Sequence, residues 1–388
     1  MKTKSVGIVG TGPAALMAGT VILENGHKVV FFDQKKAVGR KFLVAGNGGF
    51  NLTNDSEINQ FVSHYDSEII KKSVRLFDNN DFRDFLEKIG IETFVGSSGK
   101  IFPLKGIKPI DVLKAWQSYL LKLGAIFKME HVLTDFNESE LIFNSNDTEN
   151  VFQFDHFVFA LGGNSWSITG SDGKWFNKFV EKGIACKKFE SSNSGFELIN
   201  HSHLKEHAGK TIKNCKVFCE NIEIFGELVI SEYGIEGPPI YAMNANFRNK
   251  KDVYIDFKPT FSIKDIEQKL KKAKNVSEGL RDLKLPKVTI AWLKLSLKKE
   301  VFQNKSILAK TVKSFKLEIV KLRPIDEVIS TIGGVEMNAI NDSFQLKKFP
   351  KAYCIGEMLD WDAPTGGYLI QGCVSSGYTS ATAIIAHS

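Results

Sequence analysis

Apolar and polar positions follow two different rhythms along this chain, and the first rhythm returns at the end. Val6, Ile8 and Val9 form a short apolar run, as a strand covered on both faces does. Ala14, Met17, Ala18, Val21 and Ile22 then recur at helical spacing, and Asn25-Gly26 ends that helix. Val29 to Phe32 is a second apolar strand, closed by Asp33. The stretch 66–89 predicts one or two helices, capped near Asp78–Asn80 and stopped at Gly90. Thr93 to Phe102 predicts a hairpin turning at Ser97-Ser98-Gly99. Pro109 to Leu123 predicts a helix between an opening proline and Gly124. Ile126 to Phe143 predicts two strands around Asn137-Glu138. An aromatic run from Phe152 to Ala160 predicts another, leading into Leu161-Gly162-Gly163.

The rhythm changes near Ser191. Short alternating runs over 196–257 predict an antiparallel sheet or small barrel. Helical spacing rich in lysine follows over 262–320, predicting two or three amphipathic helices, at 262–274, near 287–300 and near 305–313. From Arg323 the first rhythm returns. Ile325 to Gly334 and Ala352 to Gly356 supply strands, and Thr365-Gly366-Gly367-Tyr368 opens a helix of small and apolar residues. The predicted fold class is α/β: a Rossmann-type domain from 1–190 and 322–388 around an inserted domain, 191–321. The insert is β-barrel-like over 191–260 and helical over 261–321.

The first turn carries the chemistry. Gly10-Thr11-Gly12-Pro13-Ala14-Ala15 gives G-x-G-x-x-A between a strand and a helix, the dinucleotide fingerprint in its proper context. Gly10 allows the tight turn, Gly12 lets a pyrophosphate approach the backbone, and Ala15 lets helix pack on strand. The helix N-terminus offers free N–H groups to phosphate. Asp33 can accept hydrogen bonds from both ribose hydroxyls of an adenosine and would repel a 2′-phosphate, which argues against NADP here. A second glycine-and-acid pair points to FAD. Glu357, after Gly356, is placed for ribityl hydroxyls. The helix behind Gly366-Gly367 can hold the pyrophosphate side or offset negative charge at the N1–C2=O edge of a reduced isoalloxazine. A meander followed by a strand ending in Gly-Gly also fits an FAD domain better than a dehydrogenase. Leu161-Gly162-Gly163-Asn164 lacks a second fingerprint, so NADH or NADPH would bind only transiently.

Composition changes this picture little. Hydrophobic residues at 43% and charged residues at 24% suit a globular protein with a sizeable core. The net charge is +7, but the lysines are scattered or lie on helical faces such as Lys269 to Lys274. No Arg-rich block interleaves with aromatics, so a small-molecule substrate is expected and nucleic acid is not. Five widely spaced cysteines without C-x-x-C read as free thiols in a reducing compartment. His201, His203 and His207 lack nearby Cys or carboxylate partners, so no metal is expected. Lys2 and Lys4 precede an apolar run, but Gly10, Gly12 and Pro13 interrupt it, and no run has the length of a membrane span. These features predict a cytoplasmic protein with no membrane contact. No motif specifies its oligomeric state.

Six segments together resemble the BaiN/RdsA-like (YhiN-like) family of FAD-dependent flavoproteins over essentially the whole length. They are VGIVGTGPAALMAG at 6–19, GRKFLVAGNGGFNLTN at 39–54, TGSDG at 169–173, GELVISEYGIEGPPIY at 226–241, STIGGV at 330–335 and IGEMLDWDAPTGGYLIQGCVSSGY at 355–378. The resemblance implies an FAD domain built from both chain ends, with the ADP half on Gly10, Gly12, Pro13, Ala14 and Asp33. It puts Arg40 and Lys41 at phosphate, and Asn51 and Thr53 in the loop near the flavin. Gly356 and Glu357 would face the ribityl chain, and Gly366, Gly367 and Tyr368 the isoalloxazine edge. Gly162, behind the aromatic strand, joins the cofactor set. Two departures stand out. Glu357 replaces the Asp of many flavoproteins, and Gly48-Gly49-Phe50-Asn51 replaces the G-G-R-C-N of many relatives, so no role for that Arg or Cys transfers.

The resemblance implies reduction of a carbon–carbon double bond conjugated to a carbonyl, with hydride from reduced flavin and a proton from a separate donor. Tyr368, Tyr233 and Asp362 are conceivable as that donor or as carbonyl orienters, but each reads better as a structural or flavin-orienting residue, so none is assigned. A flavin-binding redox sensor or scaffold acting on a macromolecular partner is the alternative reading. An NAD-dependent dehydrogenase without flavin is the third.

Overall fold

A computed structural model describes residues 2–44, 50–199 and 201–386. Gly48-Gly49 of the basic loop lie outside the described residues. The chain forms two compact units: Met1–Glu190 with Ile325–Ser388, and Ser191–Pro324.

The first unit is built on a parallel sheet of β1 (Ser5–Val9), β2 (Lys28–Asp33), β3 (Ile126–Met129), β4 (His156–Phe159) and β5 (Ala352–Cys354), in the order β5-β4-β1-β2-β3. Its apolar runs are continuous because both faces are covered. α1 (Pro13–Glu24) links β1 to β2 and packs against α2 (Tyr368–Ala386). α1 is apolar on nearly every side because it is buried by sheet and helix together. Small residues permit the approach: Gly377 of α2 abuts the Ala14 carbonyl so closely that no side chain fits between them.

Two stretches divide differently from the sequence pattern. Residues 126–136 are two strands. Glu130, at φ 58°, turns the chain so that β3 stays in the parallel sheet while Val132–Phe136 starts an antiparallel meander with Glu140–Ser145 and Thr148–Gln153. The aromatic run at 152–160 is also split. Asp155 accepts bonds from the Ser5 N–H (2.7 Å) and hydroxyl (2.8 Å), which starts β4 in register beside β1. The strand expected over 325–334 starts only at Ser330, behind a 3-10 turn at Ile325–Glu327, while two other local signals hold. Asp78 and Asp81 form a reciprocal capping box at the start of Asn79–Lys88, and Thr93–Val95 pairs with Lys100–Pro103 as a hairpin.

The second unit carries a seven-stranded antiparallel sheet whose edge strands, Phe315–Lys316 and Ile319–Leu322, are separated by two residues, so the sheet curls into an open half-barrel. Five short helices, between Ile263 and Lys313, replace the two or three of the pattern. Val276–Asp282 is a helix despite Gly279, where a Cβ would come within 3.0 Å of the Leu270 side chain. The predicted helix near 287–300 stops at Ser296, because Leu297 and Lys298 are extended. Phe257, Trp292 and Phe315, with ring centroids 5.2–5.8 Å apart, join these helices to the sheet.

Candidate cofactor site

Gly10, Gly12, Pro13 and Ala14 meet at the carboxyl end of β1. Gly10 has φ +110° and donates its N–H to the Phe32 carbonyl at 2.7 Å; a Cβ there would strike the Ala160 carbonyl. Gly12 is different. Its φ is an ordinary −77°, and a Cβ would meet nothing within 4 Å. The N-terminus of α1 therefore opens on free space, with Pro13 in the first turn and no side chain capping its N–H groups. Asp33 ends β2 beside this turn. Its Oδ2 accepts a very short bond from the Thr11 hydroxyl, and its Oδ1 accepts the Lys35 N–H at 2.8 Å. Burial raises the Asp33 pKa, and these two bonds pull against that rise.

The second cluster joins residues 316 positions apart. Lys41, in the short helix Arg40–Val44, donates to Glu357 Oε2 at 2.7 Å and to the Ser165 hydroxyl at 2.7 Å, with Ser171 at 3.4 Å. Its ammonium is thus held by an internal carboxylate and two hydroxyls. Arg40 is exposed. Glu357 keeps its other oxygen, Oε1, buried with no partner. Gly163 passes the same carboxylate: its Cβ position lies 3.4 Å from the Glu357 side chain and against the Thr331 hydroxyl. Gly162, at φ +71°, runs beside Ser171. Gly356 packs on Ala14 and bonds the Ser376 hydroxyl at 3.0 Å, so it ties this cluster to the first turn.

The third cluster is the turn before α2. Gly366 and Gly367 have φ of +111° and +100°, and Gly367 lies against the Thr53 backbone with no room for a Cβ. Thr53 is fully buried and its hydroxyl bonds Gln371 at 2.7 Å, so only its backbone faces the turn. Asn51 lies two residues before Thr53, which opens the short strand Thr53–Asn54, and is half-buried. Tyr368 is buried among Phe61, His64 and Tyr65. Its carbonyl accepts the Tyr65 hydroxyl at 2.6 Å, and burial raises its phenol pKa. Tyr233 lies in the other unit, where it donates to Glu236 at 2.7 Å. Asp362 donates its N–H to Asp66.

A family model described as the HI0933-like protein Rossmann domain matches residues 4–383. The chain belongs to this family. It is 24% identical over 399 residues to the ribosomal RNA dihydrouridine synthase of Escherichia coli K12, covering 98% of this chain and 97% of the relative. It is 22% identical over 414 residues to the 3-dehydro-bile acid delta(4,6)-reductase of Clostridium scindens, covering 97% and 98%. Among solved structures it matches the 3-ketosteroid-delta4-(5alpha)-dehydrogenase of Rhodococcus jostii RHA1 with TM-score 0.51 and 13% identity, covering 97% of each chain. Family membership places the chain among the FAD-dependent oxidoreductases, and the solved structure shares its fold.

The residues present fit FAD. The orphaned Glu357 Oε1 is a buried acceptor awaiting a donor, as a ribityl hydroxyl would be. The open space over Gly12 has room for phosphate at a helix N-terminus. Among the described residues no group of three metal-ligating side chains occurs, and no helix is long and apolar enough to cross a membrane. Sequence reasoning missed Thr11, Ser165, Ser171 and Thr331. Thr11 is the variable position inside the fingerprint. Ser171 and Thr331 sit in the family segments TGSDG and STIGGV, which were signals without assigned roles.

Proposed function

We propose that the protein reduces a carbon–carbon double bond conjugated to a carbonyl, using FAD recharged by NADH or NADPH. The observation that carries this reading is the orphaned buried oxygen of Glu357, held by Lys41 beside the open N-terminus of α1. The α1 N–H groups bind the pyrophosphate, and Asp33 accepts the ribose hydroxyls. Glu357 accepts from the ribityl chain while Lys41 balances its charge and fixes its rotamer. The Gly366-Gly367 turn and the first turn of α2 face the pyrimidine edge of the flavin. Bound FAD supplies the hydride, from N5 of its reduced form. Tyr368, its phenol pKa raised by burial, keeps its proton at neutral pH and orients the flavin edge.

The names of the relatives describe one chemistry. Dihydrouridine is uridine with its C5=C6 bond reduced, and that bond is conjugated to the C4 carbonyl. A Δ4,6-reductase also acts on unsaturation conjugated to a carbonyl. Uracil within RNA is therefore a second reading of the substrate, favoured by the 97–98% mutual coverage with a dihydrouridine synthase and by the +7 charge. It departs from the expectation that nucleic acid is not a partner.

The test is anaerobic. Purified protein should be yellow, release FAD on denaturation and bleach with NADH or NADPH. A 4-en-3-one steroid or a uridine-containing RNA should then restore the colour, with product gaining two hydrogens. A colourless protein that takes up no FAD would sink the proposal. A yellow protein bleached by dithionite but reoxidised by no activated alkene would leave the redox-sensor reading in its place.

A further inference from the structure

Lys100 opens the strand Lys100–Pro103 and pairs in register with Asn54. Asn54 reaches toward the Gly366 carbonyl (3.5 Å), while its Oδ1 is occupied by the Ser56 hydroxyl at 2.6 Å. The Lys100 side chain runs along the same turn: its Cε lies 3.5 Å from the Cβ position of Gly366. Lys100 is half-buried, and among the described residues its ammonium has neither an acid nor an acceptor. Lys41, the other lysine of the site, is held by a carboxylate and two hydroxyls. Two lysines thus reach the site, one neutralised and one not.

We propose that Lys100 is the uncompensated cation of the flavin edge and raises the reduction potential of the bound flavin. This rests on the reading of Gly366-Gly367 as the turn that faces that edge. Hydride uptake at N5 from a dihydronicotinamide brings two electrons and one proton and leaves a nicotinamide cation behind. One net negative charge therefore arrives at the N1–C2=O edge. The partial positive end of α2 offsets part of it, and the full charge of Lys100 beside the same turn offsets more. Hydride transfer onward to the β-carbon removes that charge again.

Sulfite is the direct probe, because it adds to N5 and leaves the same negative charge on the ring. Holoprotein carrying Lys100→Met, Lys100→Gln or Lys100→Arg is compared with wild type and with Lys105→Met, an exposed lysine in the next turn. Lys100→Met and Lys100→Gln should bind sulfite at least tenfold more weakly, matching a two-electron potential lower by about 30 mV, at unchanged FAD content. Lys100→Arg and Lys105→Met should stay within threefold of wild type. If Lys100→Met does not fold, Lys100→Gln decides alone. Yellow Lys100 variants with wild-type potential and sulfite affinity overturn the assignment and leave the FAD site standing. A wild-type protein that binds no flavin overturns the site reading and this inference with it.

Discussion

The two glycine turns of the first unit make their cradles by different means. At Gly10–Ala14 the groups proposed to hold the cofactor are backbone, contributed by neighbours in sequence, and one side chain, Asp33, stands at the next strand end. At Gly366–Tyr368 the turn itself offers little. It is pressed against Thr53, and the side chains around it come from elsewhere: Asn54, Lys100 and, one loop away, Glu357 paired to Lys41. The first turn is a local device that a short sequence specifies. The second exists only once the fold has closed.

Within the first turn, two glycines two residues apart separate folding from binding, and replacing them gives the largest effects. Gly10→Val forces a β-branched residue to φ +110° and drives its side chain into the Ala160 carbonyl. The cost is at least ~3 kcal/mol, a large share of the ~5–15 kcal/mol that holds a domain together. Soluble folded protein should be lost, as judged by circular dichroism and gel filtration. At Gly12 a Cβ meets no protein atom within 4 Å and φ is ordinary, so the apo melting temperature of Gly12→Val should stay within about 2–4 °C of wild type, while FAD retention is abolished. This sharpens the ordinary expectation that fingerprint glycines are all needed to fold. A Gly12→Val protein that keeps its yellow colour would remove the pyrophosphate from this turn.

The second turn is probed through its ion pair. Lys41→Met leaves the Glu357 carboxylate without its cation in a site only 18–25% exposed at the side chains. Discounted for that residual exposure, the loss is about 1–3 kcal/mol, read as FAD binding roughly ten- to a hundredfold weaker. Glu357→Gln should weaken binding by a smaller factor, about tenfold, since the amide oxygen still accepts a hydroxyl. The double variant should bind better than the sum of the single losses predicts, by about 1 kcal/mol or more. Strict additivity would mean that Lys41 and Glu357 act on the cofactor independently.

That contrast explains what was legible in the sequence. The strand–turn–helix–strand of 5–33 is written in local spacing, and so are Gly356-Glu357 and Gly366-Gly367. The resemblance singled out Lys41 and put it at phosphate. Its pairing with Glu357 was not legible, because no local pattern links positions 316 apart. Thr53 was legible as a loop residue near the site, but the Gln371 that takes its hydroxyl comes from α2. The helical part of the second unit was legible in kind, not in number. Its breaks at 273–275, 283–286 and 297–298 follow how each short helix docks on Phe257, Leu270 and Trp292, which periodicity does not encode.

Asp33 gives the smallest effect, and its sign depends on pH. Burial raises its carboxyl pKa above the ordinary 3.8 in the folded chain, against the opposing pull of Thr11 and Lys35. The folded apo-protein therefore holds this proton more tightly than the unfolded chain does. The stabilisation from this group is fully present below pH 3.8 and is lost as pH rises through the higher folded value. FAD affinity should run the other way, because the ionised carboxylate is the better acceptor for two ribose hydroxyls, so binding strengthens over the same window. Asp33→Asn removes the titration from both curves. At neutral pH the apo variant should be within about 1 kcal/mol of wild type in stability, since an amide can still serve Thr11 and Lys35. Its FAD affinity should fall roughly fivefold to tenfold and lose the Asp33 share of its rise with pH. An affinity that climbs with pH as steeply in Asp33→Asn as in wild type would take the ribose away from Asp33 and leave its carboxylate as a brace for Thr11 alone.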